Sequence, residues 1–373
     1  MIIGIENTPV EYPWGSITAI PDILGQQPTG RPQAELWLGA HPASPARIQG
    51  SSQTLGDIAP DLPFLLKLLA ASQPLSIQAH PNPQQAREGF DLEQREQLPK
   101  SSRSFSDPFA KPEMIYALSD PLRALCGFAP TEQARAELAA SLDDPSIADL
   151  ASRLTGDDAL PEVVSWMLTQ SHDVKRLIEA LTRVSVRREG PTWDTVRLLA
   201  RQRPGDVGVA LSVLMNVMEL RTGEVLDVPA GRIHAYLGGT GVELMGPSDN
   251  VLRGGMTGKR LDANGLLEIL DFTAERPVPL VSFTLAPGIN AFTPQQGSFI
   301  LAVTEQADSE LALSGPTIAF CASGKADIEG NRLRSGNAVF IAGEDRVRVR
   351  ATGLLFFAIA RPNGSSPEGG ATH

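Results

Sequence analysis

Gly223-Glu224-Val225-Leu226-Asp227-Val228-Pro229-Ala230-Gly231 reads as a β-strand that ends in a tight turn. Apolar residues occupy its middle, and Pro, Ala and Gly then close it. Ser335-Gly336-Asn337-Ala338-Val339-Phe340-Ile341-Ala342-Gly343 repeats the order of Gly turn, apolar strand and Ala-Gly close. That likeness implies two related β-barrels. Upstream, residues 1 to about 125 hold short apolar runs such as Phe64-Leu65-Leu66-Lys67-Leu68-Leu69 between Pro, Gly, Asn and Ser clusters, which predicts strands. The Gln- and Glu-rich stretch 84–100 reads as either a short helix or a surface excursion. At about residue 130 the period changes. Pro130-Thr131-Glu132-Gln133 offers a cap, and Ala134, Leu138 and Leu142 follow at helical spacing. Val163, Val164, Met167 and Leu168, then Val174, Leu177, Ile178 and Leu181, continue the amphipathic pattern, as do 192–203 and 207–220. After about 273 the pattern is β again, in 281–285, 298–303, 338–341, 347–349 and 354–360. The chain is thus predicted to be mainly β with a helical insert that interrupts the first barrel.

Charge narrows the function. Thirty-two Lys and Arg against 43 Asp and Glu give a net −11 over 373 residues. Nucleic acid and anionic membrane surfaces both call for concentrated Lys and Arg, so neither is an expected partner. No apolar run approaches the ~20 residues that span a bilayer. Met1-Ile2-Ile3-Gly4-Ile5-Glu6 lacks a basic segment and a cleavage site, so no signal peptide is expected. Cys126 and Cys321 are the only cysteines and sit in apolar surroundings, which excludes a disulfide framework or a Cys-based zinc site. The expected setting is the cytoplasm, and any metal must be held by nitrogen and oxygen.

Histidines are few: His41, His80, His172, His234 and His373. His373 is the last residue and is expected to be disordered. His172, beside Asp173, reads as a surface residue, and His41 in Leu38-Gly39-Ala40-His41-Pro42 reads as structural. In Leu75-Ser76-Ile77-Gln78-Ala79-His80 the faces alternate, so Ser76, Gln78 and His80 share one side and Leu75, Ile77 and Ala79 the other. Such a polar face is either a solvent face or the wet interior of a barrel. Lys67 breaks a Leu-rich strand; a buried charge needs a partner, so it should meet an anion or lie at an edge. Lys111 and Glu113 share a face if extended, and His234, Glu243, Asp249 and Arg253 follow later. A Gln-x-His pair with one Glu and one distant His could furnish a zinc site of two imidazoles, a carboxylate and an amide oxygen. Separate polar residues on solvent faces are the equal alternative.

Five segments in order carry more: Pro13-Trp14-Gly15-Ser16, Ala34 to Pro42, Leu75 to Asn82, Lys111-Pro112-Glu113-Met114, and Pro229 to Arg253. Together they closely resemble the type I phosphomannose isomerases (mannose-6-phosphate isomerases), metal-dependent members of the cupin superfamily. The resemblance covers nearly the whole chain. It implies two cupin-type jelly-roll β-barrels plus an α-helical domain: a catalytic barrel from 1–128 and 221–272, a helical insert over 129–220, and a C-terminal barrel over 273–373. It places one zinc ion per chain on Gln78, His80, Glu113 and His234. It assigns catalysis to Arg253, Glu243, Lys111 and Asp249, and the substrate phosphate to Lys67, Ser76 and Lys259. Arg253 keeps the family distance from the last ligand, nineteen residues after His234. One departure stands out: many relatives carry His just before the Lys-Pro-Glu triplet, where this chain has Ala110. A proton-transfer role for that histidine does not carry over.

The implied reaction is an aldose–ketose isomerisation of mannose 6-phosphate and fructose 6-phosphate through an enediolate. Two neutral imidazoles, a neutral amide and one carboxylate would leave a divalent ion about +1, able to polarise the carbonyl and hydroxyl oxygens. A dianionic substrate approaching a −11 protein needs local cations, and Lys67, Lys111, Arg253 and Lys259 are the expected set. Glu243 and Lys111 lead as proton-transfer groups, with Asp249 behind them; Glu243 could instead only orient a ligand. Tyr236 and Trp14 read as packing. The second barrel, without a histidine before His373, should hold no metal by this scheme, and the helical unit reads as a wall or lid. A monomer is expected, with a dimer as the alternative. Two rival classes are a cupin oxygenase and a non-catalytic sugar-phosphate sensor.

Overall fold

A single long strand organises the site half of the molecule. The structure is a computed structural model that describes residues 1–99, 103–156 and 159–362; His373 lies outside them. Strand His234–Met245 pairs antiparallel with four others: its first half with Ile77–Ala79 and Leu122–Phe128, its second with Leu65–Ala71 and Glu113–Ala117. The change of partners falls at Gly238-Gly239, where the register shifts and Gly239 takes φ +116°. A Cβ at Gly239 would lie 2.9 Å from the Leu122 Cα, so only glycine lets the strand bend there. Glu35–Gly39 pairs beyond Leu65–Ala71, and Leu252–Gly255 beyond Ile77–Ala79, within a nine-stranded sheet.

The alternation of each strand then sorts its side chains. Leu66, Leu68 and Ala70 join Phe299, Leu301, Phe320, Phe340 and Phe356 in one buried core, so this sheet and the second, ten-stranded sheet close on each other through aromatic and aliphatic side chains. At ~25 cal/mol per Å² of apolar surface, such a seam dominates the cohesion of the two sheets. Leu65, Lys67 and Leu69 face the other way.

Helices Thr131–Leu138, Pro145–Arg153, Ala159–Leu168, His172–Ser185 and Pro191–Gln202 pack around the fully buried Trp193. The same core includes Ile77, Ala79, Ile233 and Ala235, the apolar faces of the site strands. The helical stretch therefore stands as a wall behind those strands. Its sequence period was legible where a helix keeps one apolar stripe, as Val174, Leu177, Ile178 and Leu181 do in His172–Ser185. The helical reading of 207–220 holds only to Leu214, because Met215–Leu220 is a strand paired with Leu122–Phe128, its apolar residues serving a sheet and not a helix face. The ambiguous stretch after Pro83 is a helix, Pro83–Arg95, closed at its start by a reciprocal pair: Gln85 N–H donates to Asn82 Oδ1 and Asn82 N–H to Gln85 Oε1, both at 2.9 Å.

One pairing runs against the linear division of the chain. The sequence reading keeps residues 1–128 together, but Ile2–Glu6 pairs with Ala338–Ile341 and adds to the ten-stranded sheet. The Met1 amino group donates to the Ala342 carbonyl at 2.7 Å and pairs with Glu344 at 2.6 Å. Nothing in a run of five residues could reveal a partner so far along the chain. Among the described residues no helix is long and apolar enough to cross a membrane.

Candidate metal centre and cleft

The bend in His234–Met245 brings three remote stretches to one point. Gln78 lies in register opposite His234 on one side and Arg253 on the other, so an amide, an imidazole and a guanidinium-bearing residue share one row of the sheet. His80 follows directly on strand Ile77–Ala79, and Glu113 opens the strand Glu113–Ala117, opposite Met245. His80 Nε2 stands 3.3 Å from Glu113 Oε1, and His234 Nε2 stands 3.3 Å from Glu113 Oε2. The ligand-type atoms of these three residues lie within 4.8 Å of one another, and all three residues are buried. The Gln78 amide completes the ring, with its Nε2 3.4 Å from His234 Nε2. A half-turn of that amide presents its oxygen instead.

The protonation of this cluster follows from its outer partners. His80 Nδ1 is 2.7 Å from the Asn250 carbonyl, and His234 Nδ1 is 2.9 Å from the Arg232 carbonyl. A carbonyl only accepts, so each Nδ1 carries the hydrogen and each Nε2 turns a lone pair inward. Burial pushes the His80 pKa down to about 4, with Lys111 and His234 acting in the same sense against Glu113. At neutral pH the His80 imidazole is therefore neutral, with its Nε2 turned to the Glu113 carboxylate, and the His234 Nε2 faces the same carboxylate. Burial would raise the Glu113 carboxyl, but Lys111 and His80 more than offset it and hold it well below the usual carboxylate range. His80 Nε2 and Glu113 Oε2 have no hydrogen-bond partner, although both are buried. Buried acceptors aimed at one another are costly without a cation between them, and this donor set fits a divalent ion of the zinc type. Lys111 Nζ, 3.0 Å from Glu113 Oε1, supplies part of that positive charge from the side.

The cluster sits in a cleft of about 1090 Å³. Among its lining residues are Ser76, Arg253, Lys259, Arg203 and Arg260, and also Glu35, Trp37, His41, Lys67 and Glu243. Arg253 is half-buried, and burial lowers its pKa; Lys259 is lowered chiefly by the neighbouring Arg253 charge and then by burial. A cation that depresses the protonation of its neighbour marks a place where an anion is favoured. Ser76 Oγ reaches Gln78 Oε1 at 3.5 Å.

Lys67 is placed differently from its expected phosphate role. It is 6% exposed, lies between Glu35 Oε1 at 3.4 Å and Glu243 Oε2 at 3.3 Å, and sits 5.0 Å from the Trp37 ring centroid. Burial alone would lower its pKa, but Glu35, Glu243 and Glu113 raise it above the ordinary lysine value. Its charge is already shared by two carboxylates, which is why it fits in a Leu-rich strand. The expectation that it meets an anion holds; the anions belong to the protein. Burial raises the Glu243 carboxyl, opposed by Lys67 and supported by Glu113. Asp249 pairs with the buried His41 at 3.4 Å, and this contact lowers its pKa. Tyr236 is buried, and burial followed by the Glu243 charge raises its phenol well above the ordinary value.

Glu35 and His41 were the functional-site residues that pattern reading undervalued. Glu35 accepts from Trp37 Nε1 at 2.9 Å and pairs with Lys67. Its cue was the same as that of Lys67, a charge inside a strand whose neighbours are apolar. His41, 4% exposed, packs edge-on to Trp37 with centroids 5.0 Å apart and touches Asp249, so it is part of the cleft as well as of the frame.

A buried His/Glu/His cluster on a β-sheet, opening into a cation-lined cleft, defines an enzyme built around a metal site. Residues 2–131 match the family model "Phosphomannose isomerase type I, catalytic domain". The chain is 32% identical to the mannose-6-phosphate isomerase of Escherichia coli (strain K12), over 94% of this chain and 97% of that one. It is 30% identical to the mannose-6-phosphate isomerase of Mus musculus, over 92% and 93%. A crystal structure of mannose 6-phosphate isomerase bound with zinc and yttrium superposes with a TM-score of 0.87 at 28% identity, covering 97% of this chain and all of that one. The chain belongs to the type I phosphomannose isomerase (mannose-6-phosphate isomerase) family of enzymes.

Proposed function

We propose that this enzyme interconverts mannose 6-phosphate and fructose 6-phosphate with one zinc ion held by Gln78, His80, Glu113 and His234. The observation that carries the reading is the convergence of two imidazole lone pairs and a buried carboxylate within 4.8 Å. The zinc in the related crystal structure supports the choice of ion. Bound there, zinc supplies Lewis-acid polarisation of substrate oxygens. The cupin reading assigns the ligands to a jelly-roll barrel built from 1–128 and 221–272, with the helical insert over 129–220 and a second jelly roll over 273–373. Relatives named for isomerase activity favour catalysis over the oxygenase and sensor alternatives.

The chain's own residues divide the remaining work. Ser76 and Lys259, with Arg253 beside them, receive the phosphate on the cationic side of the cleft. Lys67 keeps Glu243 and Glu35 charge-balanced instead of binding phosphate itself. Glu243 is the proton-transfer group: its raised pKa makes it a better base than Asp249, whose pKa is lowered by His41. Lys111 pairs with Glu113 and fixes the carboxylate. Arg253, one strand from Gln78, steadies the oxyanion that forms as the proton leaves the sugar.

Coupled assay of the isomerisation before and after chelation tests the proposal. Activity is expected to vanish with the metal and to return with added zinc; undiminished activity after complete chelation would overturn it. Arg253→Ala is expected to lower kcat by about 10²- to 10³-fold. A rise in KM alone would assign Arg253 to ground-state binding instead.

A further inference from the structure

The His80 imidazole owes its orientation to a segment that contributes no ligand. Its Nδ1–H bonds to the Asn250 carbonyl, and Asn250 is fully buried with its side chain spent on the loop before Lys111. Asn250 Oδ1 accepts from the backbone N–H of Ser106 at 2.6 Å and of Asp107 at 3.3 Å. Asn250 Nδ2 donates to the carbonyls of Asp107 at 2.7 Å and Phe109 at 2.9 Å. Asp107 answers from the other side: its carboxylate accepts from Ser248 Oγ at 2.8 Å and from Asp249 N–H at 2.9 Å. Ser248 Oγ also accepts from Asn250 N–H at 3.1 Å.

These contacts form a two-way clasp, in which each loop satisfies the other's backbone. Four of the Asn250 amide contacts go to main-chain atoms, and a longer fifth runs from Nδ2 to Asp107 Oδ1 at 3.4 Å, so the clasp holds chiefly the course of the 106–109 loop. The carbonyl that meets His80 leaves the same residue, and its position is fixed by the clasp's geometry. A carbonyl displaced by a few tenths of an ångström would let the ring rotate away from Glu113. Outer partners of a ligating imidazole govern its tautomer and aim in just this way.

We infer that the Asp107–Ser248–Asn250 clasp is a positioning device for the metal site, setting the His80 imidazole through the Asn250 carbonyl. The inference rests on the ligand set proposed above. Asp107 and Ser248 hydrogen-bond to none of the proposed ligand side chains; they hold the backbone at Asn250, which meets His80, and at Phe109.

Zinc affinity measured by competition with a chromophoric chelator, on full-length protein, tests it. Asp107→Ala and the milder Ser248→Ala are expected to weaken zinc binding by about 10- to 100-fold and by a smaller factor, respectively. With five histidines in the chain, ¹⁵N-histidine NMR of the zinc-loaded protein resolves the His80 ring, identified by its loss in His80→Ala. Its Nδ1–H signal is expected to shift or broaden in both variants while that of His234 stays in place, a change that general destabilisation would not confine to one ring. Unchanged zinc affinity in both variants, with His80→Ala losing zinc, would overturn the clasp and leave the ligand set intact. Zinc retained at full affinity by His80→Ala would overturn the ligand set, and the clasp's role with it.

Discussion

Replacing His80 by alanine is expected to abolish zinc retention and isomerase activity together, with turnover falling by about 10³-fold or more. The size follows from the chemistry. A Lewis acid at a reacting carbonyl contributes several kcal/mol to transition-state stabilisation, and each 1.36 kcal/mol is a decade of rate. His80 holds one of the two inward lone pairs, and its loss leaves Glu113 with His234 and Lys111 alone. The ring is buried beside Glu113, and a water entering its place from the cleft would be held by no side chain in the ring's position. Metal content of the purified variant and the coupled assay check the two losses separately. Full activity in metal-free His80→Ala would remove the basis of the proposed mechanism.

The second large effect concerns stability. Lys67→Met is expected to destabilise the fold by about 3–5 kcal/mol, because it leaves Glu35 and Glu243 buried without their shared cation. Met fills the aliphatic space of the lysine, so the loss is one of charge and not of packing. A second substitution, Glu35→Gln, should recover part of it by removing one of the stranded charges. Denaturant midpoints at pH 7 measure both changes. A single variant within about 0.5 kcal/mol of the parent would show that the carboxylates find other partners. The pH dependence has a definite sign. The folded-state pKa of Lys67 is raised, so its contribution is complete below the ordinary lysine value of 10.5 and is lost only as pH climbs through the higher folded value.

Much of this arrangement was legible in the residues. Ser76, Gln78 and His80 alternate with Leu75, Ile77 and Ala79, and the structure turns Ser76 and Gln78 to the cleft and His80 to the buried cluster, while Ile77 and Ala79 enter the helical core and Leu75, at the end of the run, both packs and lines the cleft. Helix periods were readable for the same reason. The order of five segments supplied the ligand quartet; spacing alone could not have joined Glu113 to residues more than thirty and one hundred positions away. What escaped the sequence was pairing between distant strands. The pairing of Lys67 with Glu35 and Glu243 is of this kind, since the carboxylates sit on neighbouring strands at register positions that depend on where each hairpin turns. Asn250 gave no signal either, since its contact to His80 is made by a main-chain carbonyl and its side chain meets a loop more than one hundred and forty positions away.

The pairing of Ile2–Glu6 with Ala338–Ile341 has a consequence for how the molecule is made. Strand Ile2–Glu6 leaves the ribosome more than three hundred residues before its mate. At about 5–20 residues per second, it must wait on the order of half a minute before it can be covered. Ile2, Ile3 and Ile5 stay wettable through that interval, inviting chaperones or errant neighbours. A tag fused directly to Met1 would cap the amino group that now meets the Ala342 carbonyl and Glu344, and so would bear on this seam from its open end.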